Sequence, residues 1–164
     1  MKFELIHHFD ADIDPFVKAV YFDDALNQAL SSMKNISKRE VKEITDGPEK
    51  AHRVMFIEVA AAIPKEARRF VGERLGWNEV STLDKKTNVI TWQIEPQVKL
   101  PIDCQGKYEM VAEGKGKVRR IITGEVKVKL PLVGKKLESF IVNQLVESFE
   151  EEEVLVKKFL RELA

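Results

Sequence analysis

Near the end of the chain Gln144, Ser148 and Glu152 recur every four residues, among apolar neighbours. At about 100° per residue that spacing places them with Leu137, Phe140, Ile141, Leu145, Phe149 and Phe159 on one helix face, opposite Asn143, Glu147, Glu150, Lys157 and Arg161. An amide or carboxylate buried without a partner costs on the order of 1–3 kcal/mol or more. Such groups are therefore expected where the helix looks onto a space, and there they would orient a bound molecule by hydrogen bonding. A second reading of the same spacing is a helix rolled slightly about its axis, with all three groups reaching solvent or strand backbone.

His7 and Glu58 are the candidates for proton transfer. His7 alternates in phase with Phe3, Leu5 and Phe9, and an imidazole titrates near neutrality, so it could act as a general base or hydrogen-bond a ligand. A satisfied core or rim histidine has the same pattern. Glu58 stands among Phe56, Ile57 and Val59; a carboxylate poorly solvated by such neighbours has a raised pKa and can accept a proton. Alternation equally allows Glu58 and Asp103 to face solvent. No acid–base pair stands out.

Other chemistry is poorly supported. The histidines at 7, 8 and 52 and the single Cys104 match no compact ligand spacing, so neither a metal nor a cofactor is expected. Cys104 has no evident base and reads as an inward thiol. The stretch Gly114-Lys115-Gly116-Lys117 lacks the Ser or Thr of a phosphate loop and lies between strands, as a hairpin turn does. Lys115, Lys117, Arg119 and Arg120 form a basic run without interleaved aromatics, and Lys+Arg and Asp+Glu both total 27, so nucleic acid is not an expected partner. Trp77 and Trp92 read as core anchors.

The elements that must position these residues follow from period. Strands are predicted over 2–9, 38–45, 52–61, 77–83, 89–95, 103–112 and 118–130. Two short helices follow the first strand, opened by Asp14-Pro15 and broken near Phe22-Asp23-Asp24. A short helix is expected over 64–75, with Lys65, Arg68 and Arg69 on its outer side, where an anionic membrane is a weak candidate partner. Residues 131–164 read as one long helix, which only an extended sheet could cover. At 164 residues, the chain is expected to form a single domain over 1–164, long enough to bury about 70% of its unfolded surface. The opening MKFELIHHFD has early charges and no apolar signal core, from which a cytoplasmic protein is expected.

Two pieces carry a family resemblance: FELIHHFDADIDPFVKAV, a strand running into an Asp-Pro helix start, and GEVKVKLPLVGKKLESFIVNQL, a strand running into the terminal helix. With the order strand, helix pair, antiparallel meander and long helix, nearly the whole chain resembles the START-like superfamily, also called SRPBCC or helix-grip, in an uncharacterised bacterial branch. The resemblance implies an α+β fold: a curved antiparallel sheet of about seven strands gripping the C-terminal helix around a cavity for lipids, sterols, polyketides or other hydrophobic molecules. The expected function is binding, sequestration or transfer of a hydrophobic or amphipathic small molecule. Leu137, Ile141, Leu145 and Phe159 would form its apolar lining, and Gln144, Ser148 and Glu152 its polar groups. Alternatives are a cyclase, dehydratase or isomerase in the same cavity, using His7 or Glu58, and a protein-interaction module.

Overall fold

Alternating apolar and polar residues build seven strands, β1 (Lys2–Phe9), β2 (Ile36–Asp46), β3 (Lys50–Val59), β4 (Leu75–Asp84), β5 (Val89–Pro96), β6 (Ile102–Ala112) and β7 (Val118–Val128). The computed structural model describes residues 1–163. The strands form one antiparallel sheet in the order β1-β7-β6-β5-β4-β3-β2. From β2 to β7 each strand pairs with the next in sequence. β1 lies against β7, which brings the opening strand beside the residues that lead into the last helix.

The helices are α1 (Ile13–Phe22), α2 (Asp24–Leu30), α3 (Arg68–Val71) and α4 (Gly134–Leu163). Asp23 both ends α1 and caps α2, its carboxylate accepting from the Leu26 amide at 3.0 Å. The cap of α1 is Asp12, two residues before the expected Asp14, which lies inside the first turn and favours the helix dipole there. The Asp12 carboxylate instead accepts from the Gly116 amide at 3.0 Å. The helix expected over 64–75 is a single turn. Gly72 takes a left-handed φ of 77° immediately after it, and Leu75 is already paired with Val59 in the sheet. α4 begins three residues later than expected, because a turn comes first: the Gly134 amide donates to the Leu130 carbonyl.

At about 1.5 Å per residue, the 30 residues of α4 span about 45 Å. Its buried side runs through Leu137, Ile141, Leu145, Phe149 and Val156. Two apolar cores meet it. One gathers Trp77, Trp92, Ile94, Val126 and Leu137 near the helix start, and the other gathers Phe9, Phe16, Leu26, Leu83 and Val156 near its end.

One row of the sheet shows how large rings fit on its inner face. Phe3, Gly124, Gly106, Trp92, Ser81 and Arg53 stand opposite one another across six strands. The two glycines leave space that the rings fill. A Cβ on Gly106 would overlap the Thr123 backbone oxygen and come within 2.5 Å of Trp92, and one on Gly124 would lie 2.6 Å from Phe3.

Candidate functional site

Between the two cores a narrow cavity of about 70 Å³ lies under α4. Leu30, Met33, Ile57, Val59, Leu145 and Phe149 supply apolar wall.

Five charged side chains share this cavity: Arg39 from β2, Arg53 from β3, Glu79 from β4, Arg120 from β7 and Glu152 from α4. Arg53, Glu79 and Arg120 are only 6%, 8% and 4% exposed. Arg120 donates from Nη1 to Glu152 Oε1 at 2.6 Å and stacks over Phe9 at 5.1 Å. Arg53 donates to the Tyr21 carbonyl at 3.1 Å, lies 4.5 Å over the Tyr21 ring, and stands 3.7 Å from Glu79. Arg39 donates from Nε to Asn27 Oδ1 at 2.9 Å.

The electrostatics follow from burial and partners. Burial pushes the Glu79 carboxyl above its usual range, against the pull of Arg53 and Arg39. Burial works in the same direction on Glu152, but Arg120, Arg39 and the short Arg120 hydrogen bond outweigh it and hold this carboxyl low. Burial, then Glu79, pushes the Tyr108 phenol well up, so it stays a hydroxyl. The Cys104 thiol is pushed up to about 12 by burial, which leaves it unreactive.

His7 stands opposite Arg120 in the β1–β7 register, behind the cavity wall. Arg120 Nη2 lies 3.0 Å from His7 Nδ1. A guanidinium has only donors, so Nδ1 must accept, and the neutral ring carries its proton on Nε2, which reaches Glu153 at 3.0 Å. Burial, then Arg120, lowers the His7 pKa below 6.5. The folded state thus favours the neutral ring, and as pH falls below about 6.5 the unfolded chain takes up the proton first. His7 should contribute a loss of stability on acidification, with a slope of at most about 1.4 kcal/mol per pH unit. Glu79, with its raised pKa, acts in the opposite sense. Urea unfolding of the wild type and His7→Gln between about pH 7.5 and about 5.5 separates the two: the variant should lose the His7 slope, and parallel curves would refute this assignment.

Of the residues singled out from sequence, Gln144, Leu145, Ser148 and Glu152 line the cavity together. Gln144 Oε1 is buried there without a hydrogen-bond partner. Leu137 and Ile141 lie in the core beyond one end of the cavity, and Phe159 packs on the core at the other. Glu58 is on the opposite sheet face, where it accepts from Ser37 Oγ at 2.8 Å and lies 3.4 Å from Arg74. Lys65, Arg68 and Arg69 are exposed around α3, and Arg68 Nε donates to the Ile63 carbonyl at 3.1 Å. Arg120 does not belong to the exposed basic run in which the sequence had placed it. Arg39, Arg53 and Glu79 were not singled out. Their signal was alternation: Arg53 is in phase with Ala51, Met55, Ile57 and Val59, and Arg120 with Val118, Ile122, Val126 and Val128.

Among the described residues no group of three or more His, Cys, Asp or Glu side chains could hold a metal ion. No described helix is long and apolar enough to cross a membrane.

An open antiparallel sheet, a helix pair after its first strand and a long terminal helix over an interior cavity define the START-like, helix-grip class, and solved structures of that class superpose on nearly the whole chain. The Zhui aromatase/cyclase from Streptomyces sp. R1128 matches with a TM-score of 0.71 at 14% identity, over 100% of this chain and 96% of that one. A START superfamily protein from Mycobacterium smegmatis gives 0.63 at 13%, over 99% of each chain. Norcoclaurine synthase from Thalictrum flavum gives 0.63 at 17%, over 99% of this chain and 87% of that one. At these identities the likeness is one of fold. The chain itself belongs to the family described as protein of unknown function DUF2505, which matches residues 4–160. No curated protein matches it.

Proposed function

We propose that the protein binds an amphipathic small molecule between α4 and the sheet, for sequestration or transfer. The observation that carries this reading is the pairing, in one cavity, of an apolar wall with buried charged groups and the unpartnered Gln144 carbonyl. A dry core of this size would fill with side chains, and a cavity with convergent polar groups is the usual form of a small-molecule site. Apolar burial would supply most of the affinity, at about 25 cal/mol per Å². In a transfer role, exposed Lys65, Arg68 and Arg69 are available to an anionic membrane surface.

Native mass spectrometry of freshly purified protein, followed by solvent extraction, tests the reading directly. A stoichiometric amphiphile is the expected result. Leu145→Trp should fill the cavity and abolish uptake from a lipid extract, while cooperative unfolding persists. A variant that folds and still takes up the same molecule would count against this placement.

One observation favours a second reading, an enzyme of the cyclase, dehydratase or isomerase kind. Glu79 lines the cavity with its carboxyl pushed toward the protonated form, a suitable state for moving a proton. The two readings separate on Glu79→Gln, which in an enzyme would stop turnover and leave binding in place.

A further inference from the structure

We propose that the molecule this cavity takes ends in a single carboxylate, held by the guanidinium groups of Arg39, Arg53 and Arg120. The proposal rests on the ligand-binding reading above and adds to it the charge and shape of the ligand's polar end.

Charge balance is the first ground. With Glu79 and Glu152 both ionised, three guanidinium groups face two carboxylates in the cavity, which leaves one positive charge uncompensated (3 − 2 = 1). Arginine does not shed its proton in a protein, so the excess cannot be relieved by titration of the arginines.

Unused donors are the second. Arg120 spends one terminal nitrogen on Glu152 and the other on His7, and its buried Nε has no partner. Arg53 spends Nη1 on the Tyr21 carbonyl, and its buried Nε is likewise without a partner. Its nearest carboxylate, Glu79, is at 3.7 Å, beyond the about 2.7–3.2 Å of an N–H···O bond. Arg39 holds only Asn27 and makes no ion pair within 4.0 Å among the described residues. Buried donors without a partner, as the Arg53 and Arg120 Nε atoms are, are rare in folded proteins and mark a place for an acceptor.

The form of the acceptor follows. A carboxylate has one negative charge, which cancels the excess, and two coplanar oxygens that match a guanidinium fork. A dianionic phosphate would carry the sum past neutrality beside Glu79 and Glu152. A cationic end would add to the excess. The remainder of the wall, with Leu30, Met33, Ile57, Val59 and Trp77, suits an apolar chain or ring.

The test is isothermal titration calorimetry of the delipidated full chain with four compounds of one chain length: dodecanoate, dodecanol, dodecyl phosphate and dodecyltrimethylammonium. Dodecanoate should bind about tenfold or more tighter than dodecanol, the order expected for charge-assisted hydrogen bonds in a buried site. Arg39→Met and Arg53→Met should each weaken dodecanoate about fivefold or more and leave dodecanol within about twofold. Glu79→Gln, close in shape to the native residue, removes a competing carboxylate and should tighten dodecanoate. This variant keeps the proposal open to refutation even where an arginine variant fails to fold. Equal affinity for dodecanoate and dodecanol, tighter binding of the phosphate or ammonium compound, or no gain in Glu79→Gln would overturn the carboxylate assignment and leave the ligand-binding reading intact. Binding of none of the four would overturn both.

Discussion

Arg120→Met is expected to destabilise the fold by about 3–5 kcal/mol, the range for removing one partner of a buried ion pair. Methionine keeps much of the stem that lies over Phe9, so packing is largely retained and the loss is electrostatic. Glu152 would lose its 2.6 Å partner, and His7 Nδ1 would lose the donor 3.0 Å away. Both groups would remain largely buried. Urea unfolding at neutral pH gives the value. The double variant Arg120→Met/Glu152→Met should recover much of the loss, because it removes the stranded charge along with its partner. A double variant no more stable than the single one would show that the stability resides in the stacked guanidinium and not in the pair.

Gly106→Val is expected to cost about 3 kcal/mol or more, at or beyond the upper end for overpacked sites. The reason is what stands in the way. A Cβ at this position overlaps the Thr123 backbone oxygen and approaches Trp92 within 2.5 Å. The first obstacle is a strand of the ladder and cannot rotate aside. The second is an indole already held between Phe3 and Tyr108, at ring distances of 6.4 and 6.0 Å. Trp92 should move, so a shift in tryptophan emission is expected to accompany the fall in the urea midpoint. By contrast, a Cβ on Gly114 meets nothing within 4 Å, and Gly114→Ala should cost only the strain of its φ of 79°. Similar losses at both sites would refute the steric account of Gly106.

The elements of the fold were legible because each has a local cause. Strand alternation, the break at Phe22-Asp23-Asp24 and the helical spacing of Leu137, Ile141, Leu145, Phe149 and Val156 act within a few residues of themselves. Where the expectation missed, the competing signal was also local. Basic and apolar residues over 64–75 have helical spacing, but Gly72 takes a positive φ of 77° and Leu75 pairs with Val59, so one helical turn survives. On the terminal helix, the polar residues Gln144, Ser148 and Glu152 were legible as a set, and they do face one space.

What alternation along single strands did not disclose is that one cavity collects ions from both sides. Arg39, Arg53, Glu79, Arg120 and Glu152 come from five elements spread over more than a hundred residues of chain, and no spacing rule links them. In a charged chain an arginine in phase with apolar neighbours looks like one more surface charge, as Arg120 does beside Arg119. Sequence by itself determined the strands, the helix pair, the long helix and so the helix-grip class, because hydrophobic period is written residue by residue. Only the tertiary structure decided the content of the cavity, because the inward face of each strand and its register against the next are set by long-range pairing, and the polarity of a buried site is the sum over all of them.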